Sequence, residues 1–243
     1  MIKLFDAFSG YGGAHFALKK AGLDFEPVGF SENDQHAVYI YELNHPGVKN
    51  YGDITRIIPE ELPDFNFFTG GFPCQPFSSA GDGYGEGDTR GTLFYDIIRI
   101  CELKQPDNIL LENVKGLITR KHRNTLDTIR EKLSRIGYQV HVQLLNTKDY
   151  GIPQNRERVW IYATKKHLTF NFDLAPEKIK MKKFLKDFLD DHPNPELYRS
   201  KAQIDRLIEI HHVDFNVTEP CCLDIYNKKV RTQKRLYEPT HFQ

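Results

Sequence analysis

A cysteine held between two prolines is the residue of this chain best suited to covalent chemistry. Cys74 directly follows an apolar run and is flanked by Pro73 and Pro76. Proline restricts the backbone around it, so the sulfur of Cys74 is expected to point in a fixed direction. A free cysteine is commonly buried and inert, but a turn rich in proline and glycine is a poor place to bury one. We therefore interpret Cys74 as a candidate nucleophile.

The stretch that follows Cys74 is rich in glycine. Its glycines are Gly81, Gly83, Gly85, Gly87 and Gly91. Loops of about 12 or more residues inside compact domains are usually lids or binding loops. A rigid nucleophile beside a mobile lid is typical of a catalytic site.

A carboxylate and two arginines complete the set of reactive side chains. Glu112 comes near the end of an apolar run, so it can reach the same sheet edge as Cys74; the alternative is a helix-capping or surface role. Arg156 and Arg158 are two residues apart, so they point to one face if this segment is extended. Two such guanidinium groups can hold a polar base edge or a phosphate. The alternative for them is a pair of surface salt bridges.

A glycine-rich turn at residues 8–13, with the sequence FSGYGG, follows the first apolar run. Glycines at this position let a ligand approach the backbone and the N-terminus of the next helix. The spacing is GxGG, which differs from the GxGxxG of dinucleotide sites. Glu32 follows about twenty residues later, where an acid commonly holds ribose hydroxyls. Together they predict a ligand that contains a nucleoside; the alternative is a tight turn without a ligand.

The elements that must position these residues alternate between short apolar runs and amphipathic segments. This alternation is typical of βαβ units around a parallel sheet. Strands are predicted over residues 2–8, 25–32, 64–73, 107–114, 138–145 and 158–164. Helices are predicted over residues 13–22, 35–45, 92–104, 124–138 and 200–212, and the rest of the C-terminal part is expected to be irregular. The pattern predicts a doubly wound, Rossmann-like α/β domain.

Composition sets the class of protein. The chain has 243 residues, of which 40% are hydrophobic and 27% charged, as in a soluble globular protein. Its net charge is +0, so overall charge does not indicate a nucleic-acid binder, although basic residues gather at 178–183 and 228–235. The 4 cysteines have no spacing that suggests zinc, and we expect no metal. Without a signal peptide or a membrane span in its sequence, we expect a cytoplasmic protein.

Seven motifs in order give this chain a family resemblance. They are DAFSGYGG, FSEND, GDIT, GGFPCQPFS, RGTLFYDIIRI, LLENVKG and DYGIPQNRERVW. In this order they resemble the cytosine-C5 DNA methyltransferase family, and the resemblance covers residues 1–164. It implies a fold of the S-adenosylmethionine-dependent methyltransferase type, with S-adenosylmethionine as cofactor and a cytosine in double-stranded DNA as substrate.

The resemblance also implies a role for each candidate residue. Cys74 would add to C6 of a cytosine flipped out of the duplex, with Glu112 acting at N3. Arg156 and Arg158 would position the base and polarise its O2. The family's cofactor positions match Phe8, Ser9, Gly10, Tyr11, Gly12, Gly13, Glu32, Asn33, Asp53, Ile54, Pro73 and Leu93. Its substrate positions match Gln75, Ser78, Arg90, Asn113 and Val114.

The chain departs from the family pattern in two respects. Asn33 stands where an aromatic residue often stacks on adenine. Residues 165–243 would form a linker and an incomplete start of the target-recognition region, because the family's later motifs, which end in Gly-Asn-Ser-Val, are absent. The missing motifs would lie on a second polypeptide, as in split members of the family, or on the rest of a longer protein of which this chain is a fragment.

Three functions are compatible with these observations. The first is the catalytic part of a DNA cytosine-C5 methyltransferase of a restriction–modification system or a phage. The second is a tRNA cytosine-C5 methyltransferase, since one branch of the family acts on tRNA. The third is a DNA-binding or regulatory relic that is catalytically incomplete. The complete set of Cys74, Glu112 and Arg158 favours an enzyme.

Overall fold

The computed structural model describes residues 1–73, 92–119, 123–165, 176–180, 182, 187, 200–211, 221–224 and 229–232. The chain divides into two compact units. The first comprises Met1–Leu145 and Arg158–Ala175, and the second comprises Asn146–Glu157 and Pro176–Gln243.

A mixed sheet forms the centre of the first unit. Among the described residues it has six strands, in the spatial order β2-β1-β3-β4-β6-β5. They are β1 (Ile2–Ala7), β2 (Phe25–Ser31), β3 (Phe67–Gly71), β4 (Asn108–Val114), β5 (Tyr138–Asn146) and β6 (Glu157–Lys165). Strands β2, β1, β3 and β4 are parallel, whereas β6 is antiparallel to β4. The prediction of a parallel sheet is therefore wrong for β6, which returns beside β4 in the opposite direction.

Helices cover both faces of this sheet. They are α1 (Gly13–Lys20), α2 (Gln35–Asn44), α3 (Thr92–Lys104) and α4 (Arg123–Arg135). The chain moves toward one edge of the sheet from β1 to β2 and toward the other edge from β3 to β4. Because crossovers between parallel strands are right-handed, α1 and α3 lie on opposite faces. The sheet is therefore doubly wound, as the sequence predicts.

Burial explains why the sequence forms these elements. Residues 4–7 of β1 are all buried, because a central strand of a parallel sheet is covered on both faces. In α4 the buried residues Leu126, Ile129 and Leu133 recur at helical spacing, as the sequence predicts. The strands and α3 share one apolar core, whose fully buried members include Phe5, Phe68, Ile97, Ile100, Ile109 and Leu111.

The described part of the second unit includes a helix, a short hairpin and the segment Asn146–Glu157. Helix α5 (Lys201–His211) lies close to its predicted bounds. Strands β7 (Cys221–Asp224) and β8 (Lys229–Thr232) pair antiparallel, where the sequence predicts irregular structure. That prediction is wrong because the four-residue strands are too short to show a pattern of their own and are defined by their pairing.

No helix in the described ranges has the length and apolar character needed to cross a membrane.

Candidate active site

The candidate site lies at the carboxyl ends of β1 and β3, the neighbouring strands where the chain order changes direction. Strand β1 ends at Ala7, so the turn of residues 8–13 begins there. Strand β3 ends at Gly71, shortly before Cys74. Ligands of open α/β sheets bind in the crevice at such a position. The topology thus brings the glycine-rich turn and the segment that precedes Cys74 to one edge of the sheet.

The turn has a backbone conformation that glycine adopts at little cost. φ is 54° at Gly10 and 88° at Gly12, and the non-glycine residue Phe8 has a φ of 52°. Gly12 is the N-cap of α1. A Cβ atom at Gly12 would lie 2.3 Å from the ring of His45. Glycine is therefore required at this position both by the backbone and by the space available.

The other residues of the turn differ in exposure. Phe8 packs against the core and Ser9 is buried. Tyr11 is exposed, and its carbonyl accepts a hydrogen bond of 3.1 Å from Asn44 Nδ2. Gly13 is the first residue of α1. The turn is thus anchored to α2 while part of it remains open to solvent.

Glu32, directly after β2, links this turn to the start of α2. Its Oε2 accepts from the Gly10 N–H at 3.0 Å. Its Oε1 accepts from the N–H groups of Asn33 at 2.9 Å and Asp34 at 3.0 Å. Glu32 is half-buried and Asn33 is exposed. A carboxylate has about four lone-pair sites, so Glu32 can also accept hydrogen bonds from ligand hydroxyls.

Asp53 and Ile54 lie at the start of a 3₁₀-helix, Ile54–Arg56. Asp53 Oδ1 accepts from the backbone N–H of Thr55 at 3.0 Å and from its hydroxyl at 2.8 Å. These two bonds hold the pKa of Asp53 below its ordinary value. Ile54 is 3% exposed. Asp53 is therefore an ionised acceptor on a segment anchored in the core.

An ion pair lies at the ends of β4 and β6. Arg158 Nε and Glu112 Oε1 are 2.6 Å apart, and the two side chains are 23% and 27% exposed. Strand register places Glu112 opposite Trp160 and Arg158 opposite Val114. The pair is therefore a diagonal contact between residues on one face of the sheet. The structure brings these two predicted catalytic residues together.

The same carboxylate lies beside the strand that leads to Cys74. Gly71 is the register partner of Glu112, and a Cβ atom at Gly71 would lie 3.4 Å from Glu112 Oε2. Pro73 is exposed and is the last residue described before Cys74. A side chain at position 71 would therefore contact the Glu112 carboxylate.

Asn113 is 1% exposed and bonds within the protein. Its Nδ2 donates to the Phe72 carbonyl at 3.0 Å, and its Oδ1 accepts from the Val114 N–H at 2.9 Å. Its side chain therefore braces the segment that leads to Pro73. Val114 is 41% exposed, and Leu93, in the first turn of α3, packs against the core.

Five predicted site residues remain. Cys74, Gln75, Ser78 and Arg90 lie outside the described residues. Arg156 belongs to the second unit and precedes β6. Its carbonyl accepts from the Thr147 N–H at 3.2 Å.

The structure adds Asp6, which the sequence analysis did not single out. It is 4% exposed and pairs in register with Thr69, whose hydroxyl donates to Asp6 Oδ1 at 2.6 Å. Burial raises the pKa of Asp6 to about 7, and nearby Glu32 adds to the rise. The signal in the sequence was a single charge inside an apolar run that precedes the glycine-rich turn.

Comparison with known families gives a match over nearly the whole chain. The family described as C-5 cytosine-specific DNA methylase matches residues 2–239. This match continues well past the stretch that carries the resemblance in the sequence.

Two curated relatives show how far the similarity extends. Type II methyltransferase M.NgoBI of Neisseria gonorrhoeae is 43% identical over 196 residues, which are 81% of this chain and 60% of that protein. Type II methyltransferase M.HaeII of Haemophilus aegyptius is 45% identical over 170 residues, which are 70% of this chain and 52% of that protein. The chain thus spans little more than half the length of these relatives.

Solved structures share the fold. A putative DNA modification methyltransferase from an Escherichia coli prophage is 26% identical, with a TM-score of 0.61 over 74% of this chain and 52% of that one. A DNMT2 from Spodoptera frugiperda is 23% identical, with a TM-score of 0.72 over 96% of this chain and 73% of that one. At that identity the second likeness concerns the fold alone.

Proposed function

Because this chain belongs to the C-5 cytosine-specific DNA methylase family, we propose that it supplies the catalytic and cofactor-binding part of an enzyme that methylates cytosine in DNA. S-adenosylmethionine is the methyl donor of this family. The observation that carries the proposal is the Glu112–Arg158 ion pair, which lies one strand away from the segment leading to Cys74.

The residues of the glycine-rich turn fit a nucleoside cofactor. Glycine at position 12 keeps the turn free of a side chain that would meet His45, so a ligand can approach the backbone closely. Glu32, which contacts the turn through the Gly10 N–H, and Asp53 both have acceptor oxygens for ligand hydroxyl or amino groups. We propose that these three positions hold S-adenosylmethionine, which supplies an electrophilic methyl group when bound.

The proposed reaction needs a nucleophile, because C5 of cytosine does not attack a methyl sulfonium unaided. The thiolate of Cys74 forms a bond to C6, and the displaced electron pair makes C5 nucleophilic. Glu112 donates a proton or hydrogen bond at N3, and Arg158 stabilises O2 of the base. After C5 takes the methyl group, a base removes the C5 proton and the thiolate of Cys74 leaves.

Asn113 and Arg156 have supporting roles in the proposed reaction. We propose that Asn113 keeps Pro73 and Cys74 in place through its bond to the Phe72 carbonyl. Arg156 would assist Arg158 at the base, and a flipped cytosine would meet all these groups at once.

We further propose that activity requires a target-recognition region and closing motifs in addition to these 243 residues. The chain spans 60% of M.NgoBI and 52% of M.HaeII, so part of each relative lies outside the matched region. The recognition region and the closing motifs would come from a second polypeptide or from further residues of a longer protein.

A covalent trap tests the proposal. Duplex DNA that carries 5-fluorocytosine at the target should crosslink to the wild-type assembly and not to Cys74→Ser, because a hydroxyl is a much weaker nucleophile than a thiolate. The variant should still bind the same DNA. A crosslink formed by the variant would assign the nucleophile to another residue. Crosslinking to a tRNA and not to DNA would identify an RNA methyltransferase. If neither nucleic acid forms a crosslink, the chain would be a DNA-binding relic.

A further inference from the structure

Arg99, on helix α3, contacts the short 3₁₀-helix that begins at Ile54. Its Nη1 donates to the carbonyl of Ile57 at 2.6 Å, and its Nη2 donates to the carbonyl of Ile54 at 3.2 Å. The Ile54 carbonyl also accepts from the Ile57 N–H at 3.4 Å, and Ile57 directly follows the last residue of the helix. Arg99 therefore holds both the first residue of this helix and the residue that follows it, with a charged group from a different part of the chain.

The guanidinium group is itself held in position. Asp96, one turn earlier on α3, accepts from Arg99 Nη2 at 3.0 Å. The side chain of Asp96 is 15% exposed, and that of Arg99 is 39% exposed. Because guanidinium is planar, contacts to an acid and two carbonyls fix its plane as well as its location. Arg99 thus links α3 to the Ile54 segment through hydrogen bonds of fixed geometry.

The N-terminal end of the same helix carries the proposed cofactor positions. Asp53 is its N-cap, and Ile54 is its first residue. The helix has only three residues, Ile54–Arg56, so a shift at its C-terminal end moves Asp53 as well. A residue that fixes one end therefore also sets the location of the acceptor at the other end.

We propose that Arg99 is a positioning residue for the cofactor, acting through Asp53 and Ile54. This inference rests on the proposed function, since it assumes that Asp53 and Ile54 hold S-adenosylmethionine. Arg99 is not proposed to touch the cofactor itself.

The chain offers a matched control on the same helix. Lys104 Nζ donates to the carbonyl of Leu62, which lies after the next 3₁₀-helix, Pro59–Glu61. Both contacts join a cation of α3 to a backbone carbonyl, but only that of Arg99 reaches the segment of Asp53. Lys104→Gln should therefore lower stability without a specific effect on the cofactor.

The test measures binding of S-adenosylhomocysteine by calorimetry, with thermal unfolding of each variant as a check of folding. Arg99→Gln should weaken binding about tenfold, the effect of losing one hydrogen bond from a charged group. Arg99→Lys should give an intermediate value, because an ammonium group cannot hold both carbonyls at once, and it replaces Arg99→Gln if that variant does not fold. Lys104→Gln should change binding less than about twofold.

A double-mutant cycle separates positioning from a general loss of structure. Asp53→Ala should weaken binding in the wild type but add less than about twofold in the Arg99→Gln background. Glu32→Ala should keep its full effect in both backgrounds, because the hydrogen bonds of Glu32 come from residues 10, 33 and 34. If Arg99→Gln binds like the wild type, or if Asp53→Ala keeps its full effect there, the inference is wrong. If the wild type binds but neither Asp53→Ala nor Glu32→Ala weakens binding, the proposed cofactor site is wrong as well.

Discussion

At the scale of single residues, the Glu112–Arg158 pair is well defined and partly exposed. The contact is 2.6 Å long, yet about a quarter of each side chain is exposed. In the proposed reaction, the substrate base would meet both groups at this exposed part. The ion pair would also hold the Glu112 carboxyl in one orientation before the substrate arrives.

We predict that Glu112→Gln slows methyl transfer by about 10²–10⁴ and weakens cofactor binding much less. The amide can accept or donate a hydrogen bond, but it cannot deliver a proton to N3. Single-turnover kinetics with duplex DNA measure the transfer step directly. Glu131→Gln is the control, since Glu131 lies on α4 and pairs with Arg135 at 2.6 Å. An unchanged transfer rate in Glu112→Gln would remove Glu112 from the mechanism.

Asp6 predicts a pH dependence of stability. Its pKa rises from 3.8 to about 7 on folding, because burial disfavours the charged form. The folded state therefore binds this proton more tightly than the unfolded state. The resulting stabilisation is complete below pH 3.8 and is lost as the pH rises to about 7.

Asp6→Asn should abolish this dependence. Relative to the variant, the free energy of unfolding of the wild type should fall by about 1.4 kcal/mol per pH unit within that window and stay level above it. Urea unfolding of both proteins at pH 5, 6, 7 and 8 measures the difference. A constant difference from pH 5 to pH 8 would contradict the expected ionisation of Asp6.

At the scale of elements, the junction between β1 and α1 is the most constrained segment of the site. The turn has three residues with positive φ, namely Phe8, Gly10 and Gly12. His45, at the C-cap of α2, occupies the space beside Gly12. The contact of His45 with Gly12 therefore helps to position α1 and α2 at the edge of the glycine-rich turn.

We predict that Gly12→Ala destabilises the chain more than Gly22→Ala. Both glycines have positive φ, 88° and 68°, so both substitutions cost about 1–2 kcal/mol in backbone strain. Only the Cβ atom at Gly12 would meet another residue, His45 at 2.3 Å, whereas nothing lies within 4 Å of one at Gly22. The free energies of unfolding in urea give the comparison, and equal losses would show that the clash is relieved at no cost.

At the scale of the whole molecule, the chain matches its family over residues 2–239 but spans only part of its relatives' length. The first unit contains the glycine-rich turn, Glu112 and Arg158. The second unit contains Arg156, the hairpin and α5.

We predict weak cofactor binding and negligible methylation by the purified chain alone. In the proposed function, a recognition region and a closing helix that complete the DNA cleft and the cofactor pocket are supplied in addition to these 243 residues. Adding a polypeptide that carries those motifs should restore methyl transfer to duplex DNA, measured with labelled S-adenosylmethionine. Cys74→Ser with the same addition is the control. Robust methylation without any addition would contradict the prediction.

The sequence by itself determined the type and order of the main elements. Helix α3 is predicted over residues 92–104 and observed at Thr92–Lys104, because its periodicity and flanking residues are local properties of the chain. The glycine-rich turn could also be predicted from the sequence, because positive φ favours glycine whatever packs around it.

Only the tertiary structure decided how these elements meet. Four features depend on residues distant in sequence. They are the antiparallel direction of β6, the diagonal contact of Glu112 with Arg158, the hydrogen bonds of Arg99 and the burial of Asn113. Local patterns record which residues favour a helix, a strand or a turn. Local patterns do not specify the register between strands or the segment that a side chain contacts, because both are set by the packing of the complete core.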